Sequence, residues 1–308
     1  MSDAERMLTL PTRWSQAASS WREAVGTLAV VARRDRFALV GIIIYVAFFA
    51  IALLAPVLAP YNPQELNYLP GGDVAANLPP SLSHPMGTTN LGRDIFSQLL
   101  YGSRAALMVG FVAALGVVIL GTLVGLVAGY YGGWVDTVLM RLADVAFGVP
   151  FLPMAIVLVA FLGPNIWNVV LVMTLLLWRD TGRIIRAQVL SLRERSYIEA
   201  ARVLGASHTR TMFVHIAPNV LPLSFLYGSL AIGWAILTEA SISFLGFGDP
   251  NVISWGFMLQ DAYNSQALAR QAFHWFVPPG VCIMLAVMAG FFISRGYEEL
   301  LFPRLRRR

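Results

Sequence analysis

Long apolar runs separated by short polar segments dominate this chain. The clearest, residues 37–58, contains no charged residue and follows the arginine-rich run 33–36. A membrane-spanning helix needs roughly 20 apolar residues, and no small-residue cleavage site follows the run, which favours an uncleaved span over a signal peptide. The whole pattern predicts six spans, at residues 37–58, 105–128, 151–162, 166–178, 220–237 and 277–293.

Two amphipathic segments are predicted to lie at the membrane surface rather than to cross it. Residues 14–32 place Trp14 and Trp21 near one helical face, and residues 91–101 form a similar face around Ile95. Apolar side chains on one face and arginines beside them are typical of helices that lie in the interface.

The composition agrees with a membrane protein. Hydrophobic residues make up 57% of the chain and charged residues 13%, whereas soluble domains carry about a quarter charged residues. All 22 basic residues are arginine, so the chain lacks a P-loop lysine and is predicted not to hydrolyse nucleotide itself. One cysteine excludes a disulfide scaffold. We therefore predict an all-α, polytopic membrane protein with six transmembrane helices.

The arginines predict the orientation of the spans. With the N-terminus inside, segments 1–36, 129–150, 179–219 and 294–308 lie inside and hold 6, 1, 7 and 5 arginines, against 3 in all the outside segments. Cytoplasmic loops carry such an excess of basic residues. Both termini are therefore expected in the cytoplasm, with the chain in the cell (inner) membrane.

The loop after the fourth span contains the most informative local pattern. Ser196 and Glu199 have the S-x-x-E spacing of a capping box, which predicts a helix starting at the next residue after Ser196. Gly205 is placed to end that helix in a left-handed conformation. Ser207 is predicted to cap a second helix that ends near Pro218.

A helix of about eight residues is too short to be stable alone, so this one needs a surface to dock on. The residue spacing does not decide between two docking surfaces for this helix. The helix lies on the membrane, or its shallow face, with Ala200 and Ala201, fits a groove of a partner protein.

The loop also resembles a known family. Glu199-Ala200-Ala201, Gly205 and Ile216-Ala217-Pro218-Asn219 are similar to the EAA loop of binding-protein-dependent ABC importer permeases, although Ala217 stands where the family often has Leu. The resemblance implies that this loop couples the chain to an ATPase. The residues carried over to that role are Ser196, Glu199, Ala200, Ala201, Arg202 and Gly205.

Further motifs resemble the C-type subunit of dipeptide and oligopeptide importers, in the family's order from about residue 30 to 305. They lie at residues 84–97, 101–104, 129–136, 140–144, 188–194 and 243–248. The sequence of the tail 294–308 differs from that of the family. This difference concerns the subgroup and the transported solute, not the resemblance to permeases. Candidate site residues without an assigned role are Gly92, Arg93, Asp94, Asp136, Asp144 and Glu239.

The resemblance implies a transporter half rather than an enzyme. Its expected partners are a second permease in a heterodimer, two cytoplasmic ATPase subunits that bind ATP and Mg, an external substrate-binding protein, and membrane lipids. The chain itself is expected to bind no cofactor, no metal and no nucleic acid. Its expected organisation is a cytoplasmic segment 1–36 with an interfacial helix, a first span 37–58, an external loop 59–104, a permease core 105–295 with the coupling loop at about 179–219, and a basic cytoplasmic tail 296–308.

The expected solutes are dipeptides or oligopeptides, with a nickel complex or glutathione as alternatives. An ion-driven secondary transporter is a further alternative, but the sequence lacks inverted halves and a central charged relay. An intramembrane hydrolase is disfavoured because neither G-x-S-x-G nor H-E-x-x-H occurs.

Two weaker features have two interpretations each. Gly121, Gly125 and Gly129 form a small-residue stripe, which allows close helix contact within the chain or with the partner permease. Asp144 and Glu239 are carboxylates close to apolar runs. They are functional candidates, but their position near the membrane edges favours a capped or snorkelled side chain.

The orientation can be tested by cysteine labelling in a Cys282→Ala background. Single cysteines replacing Asp73 or Gln266 are expected to react with an impermeant maleimide in intact cells. A cysteine replacing Ser191 is expected to react only after permeabilisation. Labelling of the Ser191 position in intact cells would contradict the predicted orientation.

Overall fold

Nine helices make up the part of the chain that this computed structural model describes, residues 35–301. Two isolated β-bridges, in the segment between the first two helices, are the sole extended pairing in that part. The predicted interfacial helix at 14–32 lies outside it. The helices are α1 (Arg36–Leu58), α2 (Ile95–Tyr131), α3 (Gly133–Gly148), α4 (Phe151–Leu162), α5 (Ile166–Arg193), α6 (Ser196–Val203), α7 (His208–Phe244), α8 (Trp255–Asn264) and α9 (Phe273–Leu301).

The helices give the six spans that the apolar runs predict. Helices α1, α2, α7 and α9 are long and apolar enough to cross a membrane, and α3 with α4, bent by 96° at the break between them, makes a fifth span when the pair is taken together. Helix α5 has 28 residues and is therefore about 42 Å long. Helix α5 is long enough to cross a membrane, but the charged residues of its second half make it less apolar than the other spans. Counting it, the chain is an all-α bundle of six spans.

Helices α2 and α5 lie side by side at close backbone distance. A Cβ on Gly121, Gly125 or Gly129 would stand 2.8, 2.5 or 2.9 Å from a backbone carbonyl oxygen of α5. Small residues allow such an approach, and van der Waals packing then holds the helices together. The glycine stripe therefore serves packing within the chain, the first of the two uses that the sequence left open.

Within residues 35–301, four clusters of buried apolar side chains connect the helices, the smallest being Ala114, Val117 and Ala231 between α2 and α7. One surrounds Trp255 and Trp275 and joins α1, α2, α7, α8 and α9. A second surrounds Met173 and joins α2, α4, α5 and α7. The third surrounds Ile198 at the opposite end of the bundle from α8, and joins α6 to α2, α5 and α7.

The prediction of a separate surface helix at residues 91–101 is wrong. Helix α2 begins at Ile95 and continues without a break to Tyr131. The apolar face of its first turns packs on protein rather than lipid, since Ile95 is fully buried in the cluster that contains Met258 of α8. An amphipathic pattern does not distinguish these two kinds of apolar surroundings.

The prediction that the helix after Ser207 ends near Pro218 is also wrong. Ser207 caps the helix as expected, but six residues, Thr211–Ile216, form a π-helical turn and the helix continues. Pro218 has no amide hydrogen to donate. The wider turn, in which Ala217 N–H bonds to Met212 O five residues back, lets α7 pass the proline.

The contact between α2 and α5 predicts the effect of a single methyl group. We expect Gly125→Ala to lower the thermal stability of the purified protein, because the new Cβ meets backbone that cannot move aside. Overpacking of this kind costs about 1–3 kcal/mol. The matched control is Gly280→Ala, where nothing lies within 4 Å of the new Cβ. Equal melting temperatures for the two variants in detergent would contradict the contact.

Candidate functional site

Helix α6, at the bundle end opposite α8, begins without the predicted capping box. Its N-cap is Arg195, and no side chain caps the helix. Ser196 already belongs to the first turn, so its hydroxyl does not precede the helix as a capping hydroxyl must. The Glu199 carboxylate instead lies in the first turn, where negative charge is favourable beside the positive end of the helix dipole.

The predicted end of α6 is confirmed. Gly205 has φ +81°, a left-handed conformation that side chains larger than glycine's disfavour. Ala206 N–H donates to Ala201 O at 3.0 Å, the six-to-one hydrogen bond of a Schellman motif. A Cβ on Gly205 would meet nothing within 4 Å, so its surface side is open.

One face of α6 is anchored to the bundle and the opposite face is free of it. Ile198 is fully buried among apolar side chains of α2, α5 and α7. On the other side, Ala200 is exposed, and Val203 and Leu204 are 82% and 86% exposed. The helix therefore docks on its own chain, a surface that the spacing did not reveal, and presents a second, apolar face outward.

Tyr130 of α2 contacts both the end of α6 and the start of α7. The Tyr130 hydroxyl lies 3.0 Å from His208 Nδ1, at the start of α7. The guanidinium of Arg202, in the last turn of α6, stands 5.5 Å from the centre of the Tyr130 ring, within range of a cation–π attraction. Tyr130 thus joins α2, α6 and α7 through one side chain.

The two aspartates of α3 pair with arginines of α5. Arg186 forms a two-pronged ion pair with Asp136, and Arg183 pairs with Asp144. These contacts continue along α5, where Arg179 donates to Ala146 O and Arg193 donates to Gly129 O. We call these contacts of four α5 arginines the arginine clamp. The sequence analysis did not predict it, although Arg179, Arg183 and Arg186 are spaced four and three residues apart on one helical face.

Glu239 is a capped carboxylate. It lies inside α7, is 4% exposed, and accepts a hydrogen bond of 2.6 Å from Ser243 Oγ, one turn later. Asp144 is instead half-exposed and ion-paired.

Gly92, Arg93 and Asp94 build the start of α2. Asp94 is fully buried and caps the helix, accepting from Ser97 N–H at 2.8 Å. Its other oxygen lies 2.9 Å from His84 Nδ1, and the His84 ring stacks on Tyr61. His84 is therefore part of a packed loop.

The neighbours of Gly92 and Arg93 extend this packed loop. A Cβ on Gly92 would lie 2.7 Å from Val74 Cγ1, so glycine lets the loop close. Arg93 acts on α8: burial raises the pKa of the Asp261 carboxyl, and the positive charge of Arg93 opposes that rise. This electrostatic attraction acts between the loop and α8.

The candidate residues therefore occupy four separate places, one of which is Glu239 inside α7. The α6 residues form one hairpin, Asp136 and Asp144 lie on α3, and Gly92, Arg93 and Asp94 lie at the far end of α2. Helix α2 has 37 residues and is about 55 Å long. A direct contact between its two ends is excluded, so any influence between them passes through the helices.

Comparison with known proteins defines the family. Residues 121–307 match the binding-protein-dependent transport system inner membrane component, and residues 19–80 match the N-terminal TM domain of oligopeptide transport permease C. The chain is 38% identical to the dipeptide transport system permease protein of Alkalihalophilus pseudofirmus, over 94% of this chain and 92% of that protein. It is 35% identical to the oligopeptide transport system permease protein of Bacillus subtilis, over 94% and 91%. It is also 35% identical to the glutathione transport system permease protein of Pectobacterium atrosepticum, over 97% of each. This chain belongs to the binding-protein-dependent transport permeases, the membrane components of ABC importers.

Proposed function

We propose that this chain forms one half of the translocation path of an ATP-driven peptide importer, with both termini in the cytoplasm. The relatives that are dipeptide and oligopeptide permeases support the solute class. The arginine excess on the segments that flank α6 supports the orientation. A second permease, two ATPase subunits and an external binding protein complete the importer. ATP and Mg bind the ATPase subunits, and this chain transports without catalysing a reaction.

The outward face of α6 is the observation that carries this proposal. Val203 and Leu204 expose apolar surface on the side where the arginines lie, which is water and not lipid in the proposed orientation. Apolar surface exposed to water indicates a protein-binding site. An ATPase subunit that covers this face would complete the docking of a helix too short to be stable alone.

The anchor of α6 explains how a push on that face reaches the spans. Ile198 packs against α2, α5 and α7 together, and Tyr130 fastens the start of α7 to α2. Because packed interiors transmit strain, we expect a displacement of α6 by the ATPase to move these helices with it. That movement would change which side of the membrane the path opens to.

Variants of the outward face test the coupling. Ala200→Glu places a charge on the apolar contact, and Gly205→Val forces a left-handed valine at a cost of about 1–2 kcal/mol. We expect both to reduce uptake of labelled dialanine by the complete importer by about tenfold or more, at normal membrane expression. Loss of the ATPase subunits on purification, or hydrolysis without uptake, should accompany the defect.

The matched control is Gly205→Asn, since asparagine adopts the left-handed conformation more readily than valine. It should retain most of the uptake. Wild-type uptake rates for Ala200→Glu and Gly205→Val would contradict the proposed coupling role of α6. A wild-type importer that takes up glutathione but neither dipeptides nor oligopeptides would sink the peptide assignment.

Tyr130 gives a second prediction. Tyr130→Phe removes only the hydroxyl that contacts His208, and a hydrogen bond of this kind contributes about 0.5–1.5 kcal/mol. We expect amides between Ser196 and Arg210 to exchange with deuterium about two- to tenfold faster. Tyr131→Phe is the control, because Tyr131 is half-exposed and its hydroxyl has no hydrogen bond within residues 35–301. Unchanged exchange in Tyr130→Phe would show that the contact does not hold the loop.

A further inference from the structure

Charged side chains of α5 lie deep within its span, beside the break between α3 and α4. The turn at residues 163–165 joins α4 to α5. Helix α4 has 12 residues, so the break lies about 18 Å from that turn, and Arg179 lies about 20 Å from it along α5. The two distances agree, as expected because Arg179 donates to Ala146 O just before the break. With the turn at the outer surface and a hydrocarbon core of about 30 Å, this level is inside the membrane. Arg179 and Arg183 then belong to the span rather than to the inside segment 179–219, and the inside segments still hold 17 arginines against 3.

Both signs of charge are exposed at this level. The side chains of Asp180, Arg183 and Asp144 are 56%, 44% and 47% exposed in the isolated chain. Arg183 pairs with Asp144. Asp180 lies 3.9 Å from Arg179 Nε, and the positive charge of Arg183 also acts on it. Arg179 itself is 8% exposed and lies between this carboxylate and the break.

Lipid does not suit this face of α5. Charged groups within a span are costly against hydrocarbon, and they almost always face a water-filled cavity or the interior of a bundle. Two acidic and two basic groups also give the cluster no net charge, so it suits a solute that carries one charge of each sign.

We propose that this face of α5 lines the translocation path and binds the two charged ends of a zwitterionic peptide. Arg183 takes the carboxylate of the peptide, in exchange for its contact with Asp144, and Asp180 takes the ammonium group. Guanidinium groups suit carboxylates because two parallel N–H···O bonds form at once. This inference rests on the proposed function and adds a solute site to it.

The spacing of the two residues favours short peptides. Residues three apart on a helix have Cβ atoms about 5–6 Å apart. An extended dipeptide spans at most about 7 Å, so its two ends reach both side chains together. A longer peptide meets the pair with one end at a time.

Uptake of labelled dialanine by the complete importer tests the site. We expect Arg183→Gln and Asp180→Asn each to lower uptake about tenfold or more, since each removes a hydrogen-bonded charge. Hydrolysis of ATP stimulated by the binding protein should persist, because α6 is unchanged. The matched control is Arg186→Gln, which breaks the neighbouring pair between α5 and α3 about one turn farther along the helix. Uptake by this control should stay close to the wild-type rate.

Water access provides an independent readout. In the importer with Cys282→Ala, a cysteine replacing Asp180 is expected to react with a water-soluble maleimide in the resting or the ATP-trapped state. Leu171→Cys is the control, because Leu171 is also exposed in the isolated chain but lies half a turn away around α5. It should not react.

The outcomes separate this inference from the proposed function. Normal uptake by Arg183→Gln, an equal defect in Arg186→Gln, or no labelling at Asp180 would overturn the site while wild-type uptake keeps the proposed function. If the wild-type importer takes up no dialanine or other peptide, the proposed function fails, and this site fails with it.

Discussion

The backbone contact between α2 and α5 is the constraint on which the other features depend. Three glycines of α2 let carbonyl oxygens of α5 approach so closely that a methyl group does not fit. This contact places Tyr130 and Leu126 of α2 beside Val189 of α5 and creates the apolar cradle that holds Ile198. Without the contact, α6 has no anchor and the exposed face of the loop has no fixed position.

The same contact determines where α3 runs. Only Gly132, with φ +66°, separates α2 from α3, and Gly133 is also left-handed, so the chain turns sharply and α3 returns along α5. Arg186 and Arg183 then meet Asp136 and Asp144. Helix α3 is thus fixed by charge, whereas α2 and α5 are fixed by packing. Helix α3 has a single buried residue, Ala143, so ion pairs hold this helix more than packing does.

The sequence predicts features that depend on local chemistry. Uncharged runs predict six spans, the glycine spacing predicts close helix contact, and Gly205 predicts a left-handed helix end, because each follows from a few neighbouring residues. The capping box failed because Arg195, not Ser196, precedes the first turn. Residues 91–101 and Pro218 were misjudged since tertiary packing and a π-helical turn are not visible in spacing. The arginine clamp and the contact between Tyr130 and His208 join residues 50 and 78 positions apart, and a single sequence does not reveal such pairings.

The central claim is that α6 and α5 move as one body when the ATPase acts. Spin labels replacing Val203 on α6 and Leu171 near the far end of α5, both exposed, test it most directly. Their separation is measured by pulsed electron resonance in the complete importer, first without nucleotide and then trapped with ATP. The account predicts that the distance stays constant to within about 2 Å, the size of ordinary helix shifts. A change of about 5 Å or more, one helical turn, would contradict it, because α6 would then move independently of the spans that it is proposed to drive.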